Sequence, residues 1–216
     1  MEIDFQKIEP RLRYKLLSST IIPRPIALVS TRSDDGTDNA APYSFFNVFS
    51  EDPPVVVLGL QHREDKSAKD TTRNIHQTDS FVVNLIDRPM AEAMNTCAAD
   101  FPPEISEFDI AGLTRADCRK INVKRIAEAP VALECRRTMV LQLSNARDLC
   151  IGEVLYMHIR DNMICPETHR INLENYQIVA RLFADYYAGI DEPYALKRVD
   201  MPEWYKEWTK NQDGAD

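Results

Sequence analysis

Glycine is scarce in this chain. The 216 residues hold six, and no two stand within five positions of each other. That spacing excludes the G-x-G-x-x-G turn of dinucleotide-binding folds, the P-loop and the G-x-S-x-G elbow, which all need closely spaced glycines. The five cysteines, at positions 97, 118, 135, 150 and 165, contain no Cys-x-x-Cys pair. An odd, scattered set fits reduced thiols better than a disulfide framework. The four histidines are dispersed without ligand spacing, so no metal site is expected. Positive charge is also in deficit: the net charge is -8 and the pI about 5.1. Nucleic acid and anionic membrane are therefore not expected partners, because the general electrostatic attraction is missing. The longest apolar runs, such as 55–60, are far shorter than the ~20 residues of a membrane-spanning helix. The opening MEIDFQKIEP is charged and has no apolar signal core. A cytoplasmic location is the expectation.

What is present suits one globular domain. Hydrophobic residues at 44% and charged residues at 28% are ordinary proportions, and one core can cover this length. The domain is read as 1–216, with a core over about 14–190 and a helical tail over about 200–212. The tail rests on Pro202 and on Trp204, Tyr205 and Trp208 at helical spacing. β-branched and apolar runs predict strands from 26, at 53–60, 80–86, 131–143 and 150–159, with a turn at 144–148. The last pair reads as an antiparallel hairpin. Short helices are predicted at 70–78, capped by Asp70 or Ser67, and at 89–99, where proline sits in the first turn. Residues 11–19 fit a short helix or an extended arm, 100–117 and 162–175 read as loop, and 178–182 as a short strand or helical turn. Strands dominate without β-α-β alternation or internal repeats. The fold class is mainly β with peripheral helices, an antiparallel barrel.

Two stretches stand out chemically. PRPIALVSTRSDDGTDNAAPYSFFN, over 23–47, is a strand ending in Ser30 and Thr31, a polar turn at Asp34-Asp35-Gly36, and a return of small residues, hydroxyls, a proline and aromatics. Such a return lets a flat ligand approach the backbone. It reads equally as a proline-bent edge strand whose rings fill the core. KSAKDTTRN, over 66–74, places two lysines, an arginine and three hydroxyls at a helix start, where free N–H groups favour an anion. Taken alone it is also an ordinary solvated loop. Cys135 reads as a small core residue, Glu153 as a structural partner for an arginine, and His158 as a strand-face residue without special role.

Together the stretches resemble the flavin reductase-like family of FMN-binding split-barrel proteins. PRPIALVST, NAAPYSFFNVFSEDPPVVV, KDTTRNI and SFVVNLI carry the resemblance in that order, with weaker agreement at LECRRTMV, at IGEV and at the ARL of 180–182. The resemblance implies a six-stranded Greek-key split barrel, and a homodimer with FMN near the interface. It places Ser30 and Thr31 near the FMN phosphate or ribityl chain, and Ala41, Pro42, Tyr43, Ser44 and Phe45 along the flavin ring. Lys69 and Thr71 are the foremost phosphate contacts, with Asn74 in the same segment and Arg63 as a further contact. Asp70 caps or orients, since a carboxylate repels phosphate. The implied activity is NAD(P)H-dependent reduction of flavin or another acceptor, with NADH or NADPH as transient donor. The electron acceptor would be a small molecule or a partner protein. A non-enzymatic FMN carrier or store fits the same residues. The ring does the hydride chemistry, so no catalytic side chain is named.

Overall fold

The computed structural model describes residues 1–190 and 192–205. Helix α1 (Pro10–Thr20) precedes strands β1 (Ala27–Arg32), β2 (Asp38–Tyr43), β3 (Phe46–Glu51) and β4 (Pro54–Gln61). Helix α2 (Asp70–Thr78) leads into β5 (Ser80–Leu85). A 3-10 turn (Arg88–Met90), α3 (Ala91–Thr96) and α4 (Glu107–Ile110) follow, with a two-residue pair β6 (Arg115–Ala116) and β7 (Arg125–Ile126). The long hairpin of β8 (Val131–Ser144) and β9 (Arg147–Ile159) comes next, then β10 (Val179–Arg181) and β11 (Tyr187–Gly189).

The main sheet runs β2-β1-β5-β8-β9-β4-β3, with every neighbouring pair antiparallel. Strands β2 and β3 therefore occupy opposite edges, yet only Ser44 and Phe45 separate them in the chain. Two residues can join opposite edges only if the sheet rolls up until its edges meet. Counted as one bent strand, β2–β3 is the sixth stave of a split barrel. At the bend, Gly59 N–H donates to the Phe45 carbonyl at 2.7 Å, which carries the β3–β4 pairing into the corner. A side chain at Gly59 would put its Cβ 3.0 Å from Phe45 Cβ, so the approach favours glycine. Consecutive strands β4 and β5 are separated in the sheet by β8 and β9, and α2 carries the crossing, a long connection of the Greek-key kind.

The strand runs fill the barrel as their composition predicts. Val29, Val56, Leu58, Leu60, Phe81, Val83 and Cys135 are buried together inside it. A second cluster, with Ile26, Leu28, Met90, Met94 and Phe108, packs α3 and α4 against the outside. Asn84, fully buried, holds strands of this second cluster together: its Nδ2 donates to the Leu28 carbonyl at 2.9 Å, and its Oδ1 accepts from Ile126 N at 2.9 Å. Buried Glu134 accepts from Arg119 N and Lys120 N, both at 2.7 Å, and lies 2.6 Å from His158 Nε2. His158 thus has a structural task that the sequence left blank.

Several expectations need correction. The turn between β8 and β9 is two residues, not 144–148, because pairing continues through three register shifts up to Ser144 opposite Arg147. β3 went unforeseen, since the barrel closure makes a strand of NVFSE. The stretch 100–117 holds α4, whose Phe108 is drawn into the second cluster. Helix α2 begins as expected, but Lys69 is its N-cap and no side chain caps it. Ser67 instead bonds Asp65, and the Asp70 carboxylate is taken by Arg63 and Arg73. Residues 11–19 are helical and 179–181 form a strand. Glu153 pairs with Arg136 at 2.8 Å. Of the predicted tail helix, Trp208 lies outside the described residues.

Gly152 in β9 provides a test of the packing. A Cβ there would lie 2.8 Å from Phe81 Cε1 and closer still to Cζ, and Phe81 is fully buried. Gly152→Ala is expected to lower stability by about 1–3 kcal/mol, read from the urea midpoint at unchanged slope. An unchanged midpoint would mean that the core has room there.

Candidate functional site

The bend that closes the barrel also makes one wall of a 200 Å³ cleft. Ala41, Pro42, Tyr43, Ser44 and Phe45 line it from the β2 side, and Arg63, Lys69 and Thr71 from the start of α2. Eight of the eleven expected residues thus meet in one place although 32 positions separate Asn39 from Thr71 in the hydrogen bond that joins these walls.

The other three do not reach the cleft. Ser30 is fully buried; its hydroxyl donates to the Lys124 carbonyl at 2.7 Å and accepts from Asn84 Nδ2 at 3.0 Å. The Ser30 hydroxyl is thus turned into the fold, away from the cleft. Thr31 and Asn74 sit behind the wall. Asn74 Nδ2 donates to Thr31 Oγ1 at 3.1 Å, while Asn39 Nδ2 donates to Thr71 Oγ1 at 3.1 Å. This buried network pins the first turn of α2 onto β1 and β2. Thr31 and Asn74 therefore position the helix start.

Charge in the cleft is close to balanced, with one exception. Arg63 reaches Asp70 at 2.7 Å and also donates to the Ala68 carbonyl at 2.6 Å. Lys69 meets Asp100 at 2.9 Å, but Asp100 is largely exposed, and such a pair is cheaply exchanged for a ligand. Half-buried Arg147 is different. Among the described residues it pairs with no carboxylate; its guanidinium lies over the Phe45 ring, 5.3 Å from the centroid, and burial lowers its pKa. The sequence reading missed Arg147. Its only local signal is a charge at a hairpin tip. Its place depends on the register that sets Gln61 opposite Arg147 at the end of the β4–β9 ladder. Nearby, His62 Nε2 lies 2.8 Å from Asp148 Oδ2 and braces that tip.

Two further groups were missed. The rings of Tyr14 and Phe45 lie 6.0 Å apart, bringing α1 to the cleft. Glu107 of α4 is buried, and its carboxylate accepts from Ala40 N at 3.0 Å, covering an edge amide of β2. Burial pushes Glu107 above the ordinary 4.5, against the pull of the Ala40 hydrogen bond. Burial likewise pushes the Tyr43 phenol up to about 12, although a hydrogen bond with the Thr71 side chain acts in the other direction.

These features suit a flavin mononucleotide. The first N–H groups of α2 have no side-chain cap, so an anion there would find free donors beside Lys69 and Thr71. Arg147 supplies a cation with no carboxylate partner among the described residues, and Ala41 to Phe45 supply one wall.

A split barrel of six antiparallel staves, with a cleft of this make-up at its closure, defines the architecture of split-barrel flavoproteins. The chain matches the model of the flavin reductase like domain over residues 18–169. It superposes on component B of nitrilotriacetate monooxygenase from Bacillus cereus with a TM-score of 0.86, at 33% identity, covering 91% of this chain and 98% of that one. The 2-nitrobenzoate 2-nitroreductase NbaA of Pseudomonas fluorescens gives 0.83 at 34% identity, covering 94% and 98%. A Shewanella frigidimarina protein assigned as a flavin reductase with split barrel domain gives 0.79 at 21% identity, covering 92% and 100%, a likeness of fold. The chain belongs to the flavin reductase-like family, and is a flavin-related oxidoreductase by that membership.

Glu107 makes a pH test. A carboxyl raised on folding contributes stability that is full below its ordinary 4.5 and lost as pH rises through its folded value. Glu107→Gln keeps an acceptor for Ala40 N–H but stays neutral. Relative to wild type, it is expected to gain stability between pH 4 and pH 8 in urea titrations. A pH-independent difference would contradict the raised value.

Proposed function

We propose that the chain is an FMN-dependent oxidoreductase that accepts hydride from NADH or NADPH and passes electrons to free flavin, another small molecule or a partner protein. The observation that carries this reading is the cleft itself: Ala41 to Phe45 and the helix start at Lys69 and Thr71 line one space. A bound FMN supplies the hydride chemistry, and the protein supplies orientation and charge. Lys69, Thr71 and the free amides of α2 hold the phosphate, Arg63 and Arg147 add positive potential, and Asp70 keeps Arg63 extended along the loop. Phe45, braced by Tyr14 and Arg147, bounds the slot. The scarcity of glycine agrees, because this cradle uses a helix N-terminus and side chains in place of a glycine-rich loop.

The same reading includes a homodimer with the flavin near the interface. Val48 and Phe49 on β3, and Leu141 and Leu143 on β8, are exposed apolar side chains on the outside of the barrel. Light scattering at twice the chain mass of 24.8 kDa is the expected result, and a monomer at micromolar concentration would remove this part. The five unpaired cysteines suit a reducing cytoplasm.

Purified protein mixed with FMN is expected to quench flavin fluorescence and, under anaerobic NADH or NADPH, to bleach the flavin absorbance. Lys69→Ala, Thr71→Ala and Arg147→Ala are each expected to weaken FMN by about ten- to a hundredfold, the equivalent of one charge-assisted contact. Unchanged affinity in all three would place the phosphate elsewhere. A bound flavin that stays oxidised with both dinucleotides would point to an electron carrier.

A further inference from the structure

A second cavity, of 690 Å³, adjoins the flavin cleft and shares Tyr14, Pro42, Tyr43, Ser44 and Ala98 with it. It lies between α1, the β2 bend, α3 and the β10–β11 hairpin. Its lining includes the apolar and aromatic side chains Ile26, Met94, Phe183 and Tyr187. It also includes three cations, Lys15, Arg24 and Arg181, and one carboxylate, Asp185. Among the described residues, none of the three cations pairs with a carboxylate.

Arg24 and Arg181 are held side by side. Their backbones exchange hydrogen bonds, Arg24 N to the Arg181 carbonyl at 3.0 Å and Arg181 N to the Arg24 carbonyl at 2.9 Å. Arg24 is buried and donates to the carbonyls of Ser18, of Ile21 at 3.0 Å and of Leu182 at 2.5 Å, and to Ser44 Oγ at 3.3 Å. The α1 carbonyls account for where Arg24 sits, since a helix C-terminus favours a cation. They do not account for a second guanidinium and a lysine in the same cavity. Burial and then the Arg181 charge lower the Arg24 pKa, with Tyr14 opposing. Buried charge is ordinarily paired, and adjacent cations repel, so the cavity favours an incoming anion. The Arg181 guanidinium lies over the Tyr187 ring, 4.5 Å from its centroid.

We propose that this cavity binds a small planar carboxylic acid, its carboxylate at Arg181, Lys15 and the remaining Arg24 N–H, and its ring between the aromatic side chains and the flavin cleft. Such an acid is the second ligand of the FMN enzyme proposed above, and the assignment rests on that reading for the acid's role but not for its binding. Carboxylate matches the Arg181 guanidinium, which can offer a fork of donors to a planar anion, with the one remaining Arg24 N–H beside it.

Benzoate and its neutral isostere benzamide are the probes, titrated calorimetrically into the full chain with and without FMN. Benzoate is expected to bind at least about tenfold more tightly than benzamide. Arg181→Ala and the exposed-site variant Lys15→Ala are each expected to weaken benzoate severalfold or more, leaving benzamide and FMN affinities within about twofold. Equal binding of the two probes, or benzoate affinity that ignores both variants, would overturn the proposal. NADP+ binding that depends on Arg181 while benzoate fails to bind would also overturn it, by assigning the cations to the dinucleotide. Charge-selective benzoate binding in protein that takes up no FMN would uphold the anion site and defeat the flavin reading, so the two failures are distinguishable.

Discussion

The approach of Phe45 to Gly59 is the constraint on which the rest depends. A 2.7 Å hydrogen bond and a Cβ-less position let two residues carry the chain between opposite edges of the sheet. The barrel closes there, so its interior can be filled from all six staves. The same bend places Pro42, Tyr43 and Ser44 in a wall common to both cavities. Fold and site are thus one event. A chain that failed to close would lose the core and the flavin wall together.

The second ordering principle is polar and works at a distance from the ligand. Thr31, Asn39, Thr71 and Asn74 form a buried network that fixes α2 over β1 and β2. Ser30 and Asn84 lock the loop near Lys124 and Ile126 to the back of the same strands. Buried polar groups of this kind specify one arrangement because each demands its partner. They hold the helix start still while the groups that face the cleft keep donors free. Charge follows the same division. Asp70 and Asp100 balance Arg63 and Lys69, whereas among the described residues Arg147, Arg24 and Arg181 have no carboxylate partners at the places where ligand anions are proposed.

Much of this was legible in the sequence because it is written locally. β-branched runs marked the strands, and the KDTTRN start of α2 fell at its predicted residue. Eight of the residues expected from the family resemblance line the cleft. What escaped is non-local. Ser30 and Thr31 lie in β1 beside the cleft, but whether a hydroxyl faces a ligand or an asparagine depends on what packs behind it. Arg147 becomes a cleft residue only through the β4–β9 register, and Glu107 only because α4 folds back onto the β2 edge. β3 is a strand because the barrel closes, and nothing in NVFSE alone requires it.

The central claim is that the barrel closure builds a flavin slot whose phosphate end is the start of α2. A crystal structure of the protein grown with FMN tests it most directly. The account predicts the phosphate within hydrogen-bonding distance of Lys69, Thr71 and the first α2 amides, and the ring against Ala41–Phe45. Flavin bound at another surface, or a phosphate at the Arg24–Arg181 cavity with α2 untouched, would contradict it.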